Sequence, residues 1–302
     1  GLLINAFPFF TWGSIAGNAT PSLWDRIADR PHHLRYTGVL QRIGLAYVAG
    51  ALLTMRGSLT RLVAIVVSLL FGYWFAVTLL PVPDSGILGA LTLNTHDRNL
   101  GAWLDRLIIG ESHTWVGSVT WDPEGLLSTI PAIATVILGV FAGRWIASPR
   151  PLADRIAGLC AIGALAMVAA LMWHWSFPIN KNLWTSSYVL FTAGMACVAL
   201  GACLWVIDVQ RVRWWTSPWV VFGVNPIVAF AGSGVLARLI YSIIFVTAPG
   251  GKRIPLEQAM YQTLFASWLD PRNASLAFAL LTVAVWYAIL LVLYKKKIIL
   301  KV

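Results

Sequence analysis

Trp121-Asp122-Pro123-Glu124-Gly125-Leu126-Leu127-Ser128-Thr129-Ile130-Pro131 sets two carboxylates at the mouth of an apolar segment that runs on to Trp145. The Asp-Pro step disfavours helix at Asp122, so the sequence puts a helix start at or just after Pro123. Glu124 then falls in the first turn, where the positive end of the helix dipole favours an anion. Two readings follow from this pattern. The acids cap a membrane helix at its wet end, or they belong to a polar site at the membrane face, because ionisable groups at membrane depth are costly and tend to be functional.

Composition gives the class of the chain around this stretch. Of 302 residues, 58% are hydrophobic and 11% charged, and the mean hydropathy is +0.74. Soluble domains carry about 25% charged residues. Too little charge is present to coat a soluble globule of this size. The expected fold class is all-α, a polytopic transmembrane helix bundle in the lipid bilayer. The formal net charge is +10, but the basic residues fall mainly in short gaps between apolar runs. That is the pattern of topology signals, and it argues against nucleic acid as a partner. Cys160, Cys197 and Cys203 lie inside apolar runs without metal-ligand spacing, so they read as packing residues, and no metal site is expected. The chain holds no P-loop, no Gly-x-Ser-x-Gly elbow and no His-Glu-x-x-His.

Working outward, eight spans are counted, the first partial. They are residues 1–10, 37–55, 62–81, 125–147, 156–175, 186–207, 217–246 and 274–294. The seventh carries a break at Gly223-Val224-Asn225-Pro226, where the proline removes a helix hydrogen bond. Residues 82–121 form the longest polar connection, and a loop of that length is more often functional than a mere connector. Arg56, Arg61, Arg144, Arg150, Arg155, Arg211, Arg213 and Lys295 to Lys297 all fall on one side. The positive-inside rule makes that side, with the C-terminus, cytoplasmic. Gly1 stands inside an apolar run without an initiator Met, so the chain is expected to be one transmembrane domain, 1–302, lacking its N-terminal helices.

Three further stretches carry chemistry. Gly38-Val39-Leu40-Gln41-Arg42-Ile43-Gly44 brings a guanidinium into the start of a span. Arg42 either snorkels to the interface or turns inward to grip a phosphate, which its fork suits. Asn180-Lys181-Asn182-Leu183-Trp184-Thr185-Ser186-Ser187-Tyr188 crowds hydrogen-bonding side chains around an aromatic pair. Thr185 or Ser186 caps a helix there, while Asn180, Lys181, Asn182, Trp184 and Ser187 read as ligand-facing. Asn225, inside a span, either bonds a neighbouring helix or faces a ligand.

Taken together, these stretches resemble the heparan-α-glucosaminide N-acetyltransferase family of membrane acyltransferases. The matching residues are Thr37-Gly38-Val39-Leu40-Gln41-Arg42, Leu80-Pro81-Val82-Pro83, Asn99-Leu100 with Asp105-Arg106-Leu107, Asp122-Pro123-Glu124-Gly125-Leu126-Leu127, Asn180-Lys181-Asn182-Leu183-Trp184 and Gly223-Val224-Asn225-Pro226. They run in order from about Tyr36 to the C-terminus.

The resemblance implies transfer of an acetyl group from acetyl-CoA, as co-substrate, to the amino group of a glucosamine-type sugar at the non-cytoplasmic face. It implies a bacterial-type member in the inner membrane, with a small amino sugar as partner and a homodimer allowed. The family's proposed catalytic histidine would lie upstream of Gly1, so the chain alone is expected to be incomplete as an enzyme. In that frame Asp122 and Glu124 take supporting catalytic roles, and Arg42 and Lys181 hold the CoA part. Asn180, Asn182, Trp184, Ser187 and Asn225 bind substrate. The competing class is a transporter or exporter of a sugar or lipid-linked sugar, which also places polar groups inside helices and breaks a span.

Overall fold

The computed structural model describes residues 1–11, 14–55, 57–248 and 251–300. Arg56, one of the basic residues assigned to the cytoplasmic side, lies outside the described residues. The chain divides into two compact units, Gly1–Arg211 and Val212–Val302.

The first unit begins with two short helices, α1 (Leu2–Ala6) and α2 (Leu23–Asp29), and continues with α3 (Val39–Met55) and α4 (Leu59–Leu79). The connection after α4 folds into α5 (Gly89–Thr92) and α6 (Leu100–Ile108). Then come α7 (Thr129–Ile146), α8 (Leu152–His174) and α9 (Ser186–Leu204), the last extended by a wider turn to Val209. Local chemistry fixes the ends. Ser58 caps α4 by accepting from the Arg61 N–H, and Thr185 caps α9 by accepting from Tyr188 N–H. Leu62, Val66 and Leu70 of α4 pack against Ala134 and Ile137 of α7 and Val189 of α9 to form the buried core. Helices α8 and α9 meet at Gly163 and Gly194, where a Cβ on Gly163 would stand 2.7 Å from the Gly194 carbonyl oxygen. Small residues at such a crossing let two backbones approach, the usual device of membrane helices. Leu165, Val168, Leu171 and Met172 of α8 stay exposed, as a lipid-facing surface requires.

The second unit holds α10 (Ser217–Val224), α11 (Pro226–Arg238), a two-stranded antiparallel hairpin of β1 (Phe245–Thr247) and β2 (Arg253–Pro255), α12 (Leu256–Tyr261) and α13 (Pro271–Lys295). Asp270 caps α13 by accepting from the Asn273 N–H.

Among the described residues, six helices are long and apolar enough to cross a membrane: Leu59–Leu79, Thr129–Ile146, Leu152–His174, Ser186–Val209, Pro226–Ile243 and Pro271–Lys295. The chain is an all-α, integral membrane protein, but the eight spans expected from the sequence are not the count. Residues 1–10 give only the five-residue α1. The 17 residues of α3 make a rod of about 25 Å, short of a hydrocarbon core of about 30 Å. Residues 217–224 form a separate eight-residue helix, because Pro226 lacks an N–H and Asn225 leaves helical geometry at φ −130°.

The helix expected at Pro123 also begins later, at Thr129. Asp122 accepts from Glu124 N–H, and Asp105 accepts from Leu126 N–H. Residues 122–128 are thereby drawn into turns, and Glu124 is not in a first helical turn.

Candidate functional site

The first unit gathers its polar groups at one end, where α3, α7 and α9 begin and α4 and α8 finish. Asp122 is the centre of that end. Arg35 donates from Nε to Asp122 Oδ2 at 2.7 Å and from Nη2 to Oδ1 at 2.6 Å. Thr37 Oγ1 donates to Oδ2 at 2.5 Å, and Glu124 N–H donates to Oδ1 at 2.9 Å. Two oxygens thus receive four bonds, about the full capacity of a carboxylate. Burial would lower the Arg35 pKa, but the hydrogen bonds and charge of Asp122 and then Glu124 outweigh it, so the guanidinium is raised above its ordinary value.

Glu124 is shared between two arginines. Its Oε2 accepts from Arg35 Nη2 at 2.5 Å, and its Oε1 lies 3.9 Å from Arg42 Nη2. Arg42 turns inward and is 7% exposed. Its Nη1 donates to the Pro123 carbonyl at 3.0 Å, and its guanidinium carbon sits 4.0 Å from the centre of the Trp184 ring. This stacked contact is the favourable cation–π arrangement. Trp184 holds its position with a positive φ of 49°, an uncommon conformation for a bulky residue, and its indole N–H reaches Thr135 Oγ1 at 3.3 Å. Arg42 is therefore engaged within the protein on both its face and its edge.

The 180–188 corner is self-supporting. Asn180 Oδ1 accepts from Asn182 N–H at 2.8 Å and from Leu183 N–H at 3.3 Å. Ser187 Oγ donates to the Phe177 carbonyl at 2.6 Å and is fully buried. Tyr73 Oη, from α4, donates to the Leu183 carbonyl at 2.5 Å and ties the corner to the bundle. Lys181 is exposed, and the carboxylates of Asp122 and Glu124 are taken by Arg35 and Arg42. Asn182 is the member of this corner that reaches across to another connection: its Nδ2 lies 3.2 Å from His96 Nε2.

Between these groups lies a narrow cleft, partly open to solvent, whose enclosed space is about that of one water molecule. His96, Asn99 and Asp105 line one side, Trp121, Asp122 and Gly125 another, and Asn182, Leu183 and Tyr73 a third. Asp105 is packed tightly against Gly125. Its carboxyl occupies the space that a Cβ on Gly125 would need. Burial pushes the Asp105 pKa up to about 7, against the lowering effect of the Leu126 N–H. Arg106 binds the loop around it, donating to the Asp97 carbonyl, the Thr120 carbonyl and Asp84.

In the second unit, Asn225 is fully buried. Its Nδ2 donates to the Ile298 carbonyl at 3.0 Å, and its Oδ1 accepts from Leu300 N–H at 2.9 Å. Its amide clamps the C-terminal segment.

No family model matches the chain. Two curated proteins do. The chain is 28% identical over 329 residues to the heparan-alpha-glucosaminide N-acetyltransferase of Mus musculus, and 26% identical over 327 residues to that of Homo sapiens. Each alignment covers 93% of the chain, and 46% and 45% of the relatives respectively. Along most of its length the chain is thus similar to the heparan-alpha-glucosaminide N-acetyltransferases. It spans about half the length of these curated relatives.

Four of the six stretches singled out in the sequence meet in the first unit, while residues 80–83 and 223–226 lie outside that group. Residues 37–42, 99–106, 122–127 and 180–184 all contribute to the cleft or to the ion cluster beside it. Two members of the site escaped the sequence. Arg35 stands two residues before the first matched stretch, in a segment that reads as generic interfacial charge. His96 lies in the longest polar connection, and neither residue has a local pattern that announces its partner 86–89 positions away.

Proposed function

We propose that the protein is a membrane acetyltransferase that moves an acetyl group from acetyl-CoA to the amino group of a glucosamine-type sugar. The observation that carries this reading is the joint one. Similarity to two N-acetyltransferases runs through 93% of the chain, and three of the six stretches singled out in the sequence, around residues 99–106, 122–127 and 180–184, line one polar cleft at a single end of the first unit's helices. A cleft of convergent polar groups beside aromatic walls is the expected form of a small-molecule site. Glucosamine carries hydroxyls and an amine, which suit Asn182 and the aromatic face of Trp121.

In this reading the carboxylates work indirectly. Asp122 is saturated by Arg35, Thr37 and Glu124 N–H, so it fixes the shape of the 122–126 loop. Arg42, stacked on Trp184, joins α3 to the start of α9 and contributes positive potential beneath the cleft. Lys181, exposed next to Asn182, is a cation that can meet a CoA phosphate. The cleft lies on the non-cytoplasmic face of a bacterial inner membrane, with the C-terminus in the cytoplasm, as the basic loops favour.

The experiment is direct. Membranes containing the full-length protein receive acetyl-CoA labelled in the acetyl group, together with glucosamine. Labelled N-acetylglucosamine, formed in proportion to protein and absent with control membranes, is the expected result. Uptake or release of free sugar without any acetylated product would overturn the reading in favour of transport.

A further inference from the structure

We infer that residues 87–116, within the connection between α4 and α7, are seated on the membrane surface and dip their apolar side chains into lipid. The partner is the headgroup and upper acyl region of the leaflet at the cleft end of the helices. The inference rests on the membrane class of the protein and is independent of acetyl transfer.

A lipid-facing stripe leads straight into this segment. Val63, Val67, Phe71, Phe75 and Leu79 recur every four residues along α4, and all are exposed. One side of that spanning helix therefore meets lipid along its length. At the helix end the chain folds back on itself. The Leu80 carbonyl accepts from Gly89 N–H at 3.1 Å, and Val82 N–H donates to the Ile87 carbonyl at 2.8 Å. Gly89 is pressed so closely on α4 that a Cβ there would collide with the Val77 carbonyl oxygen. Leu88 and Leu91 are thus held beside the end of α4, and Leu91 is 75% exposed.

Helix α6 continues the surface. Leu100, Leu104, Leu107 and Ile108 share one face by their spacing. Leu100 is buried, Leu104 is half-buried, and Leu107 and Ile108 are exposed. The apolar face begins inside the protein and ends outside it. Arg106, on the opposite side of α6, is held inward by the Asp97 and Thr120 carbonyls and by Asp84. Asp105 is buried on Leu126 N–H. Beyond the helix, Val116 is 80% exposed, and the exposed Trp115 leans edge-on against Trp121 of the cleft with centroids 6.0 Å apart.

This polarity is the reverse of that of a loop in water. Arg106 and Asp105 bond within the protein, while leucines, an isoleucine and a valine project from it. A short amphipathic helix with an aromatic anchor is the form of an interfacial element. The charges left outside, Asp97, Arg98 and Glu111, suit headgroup depth. Bulk water would leave the apolar surface uncovered. A second copy seated here would also have to cover the end of the α4 stripe, which the length of a spanning helix commits to lipid. His96, Asn99 and Trp121, which line the cleft, are accordingly carried by a lipid-seated segment, and the cleft opens at headgroup level.

The test uses the full-length protein, freed of its own cysteines and reconstituted in phosphatidylcholine–phosphatidylglycerol vesicles. Single cysteines replace Leu91 and Ile108 and carry a nitroxide. Collision with dissolved oxygen, which concentrates in lipid, is compared with collision with a water-soluble nickel chelate. Labels at Val168 on the exposed face of α8 and at the exposed Pro149 in the loop before α8 give the lipid and water references. The oxygen-to-nickel ratio at Leu91 and Ile108 is expected to stand several-fold above that at Pro149 and to approach that at Val168. A ratio like that at Pro149 overturns the inference and places the segment in water. Little collision with either reagent also overturns it and means that protein, such as a second copy, covers the patch. Leu107 and Val116 form a second pair read in the same way, should a label at either first position prevent a monodisperse protein in detergent.

Discussion

Arg35 and Asp122 stand 87 residues apart in the chain and form a two-pronged ion pair, Nε to Oδ2 at 2.7 Å and Nη2 to Oδ1 at 2.6 Å. The pair closes the segment before α3 onto the loop before α7. Side-chain exposure is 20% for Arg35 and 0% for Asp122, so each partner depends on the other for compensation. Removing one partner of such a pair costs about 3–5 kcal/mol, because a buried charge is left behind. Arg35→Ala should therefore lower the unfolding midpoint in detergent markedly. Arg35→Lys should recover little, since an ammonium cannot reproduce the fork. A double-mutant cycle with Asp122→Ala should show coupling above about 1 kcal/mol; strictly additive losses would show that the two residues act independently.

Gly125 is held against Asp105, and an alanine there has no room for its Cβ. Gly125→Ala should displace the 122–126 loop and reduce both stability and acetyl transfer. Combining it with Asp105→Ala, which empties the space, should restore part of the stability lost in Gly125→Ala. A double variant no better than the single one would mean that the conflict lies elsewhere.

Burial pushes the Asp105 carboxyl up to about 7 in the folded protein, from the ordinary 3.8 of an aspartate in water. The folded state then binds more protons than the unfolded state between those values. Its stability is greatest below the lower one and falls as pH rises towards about 7. The slope for one group reaches at most about 1.4 kcal/mol per pH unit. Melting curves from pH 5 to 8 should show this decline, and Asp105→Asn, which keeps an acceptor for Leu126 N–H but cannot ionise, should flatten it. Parallel curves for the two proteins would remove Asp105 from the account.

Ser58 caps the start of α4, and Ile179 follows the end of α8. In the bundle they fall at opposite ends of spanning helices. Single cysteines placed at the two positions, in a background without Cys160, Cys197 and Cys203, should react with an impermeant thiol reagent from opposite sides of sealed vesicles. Labelling of both from one side would invalidate the topology.

The fold was legible where apolar runs are long. Residues 59–79, 152–174 and 271–295 announce themselves by length and hydropathy, and the charge of the short loops orders them. Legibility failed where a side chain far away in sequence captures a backbone group. Asp105 takes Leu126 N–H, 21 positions on, and the helix expected at Pro123 starts at Thr129. That Asp122 and Glu124 could belong to a polar site at the membrane face, and that Arg42 could turn inward, was readable, because ionisable groups at membrane depth are costly. Their connector, Arg35, was not, since one arginine among several in a wet segment carries no mark of its partner. Asn225 illustrates the reverse. It sits in a suggestive motif, yet its amide is used by the backbone of the C-terminal segment.

The corner that carries Asn182 is closed by near neighbours: Thr185 donates to the Pro178 carbonyl seven positions back, and Ser187 to the Phe177 carbonyl ten positions back. It acts as a fixed anvil. The opposing jaw is built of a long connection whose position depends on Arg106 reaching three separate strands of chain. The cleft would thus be rigid on one side and adjustable on the other, and changes in its width would be written in residues 82–121 rather than in the corner.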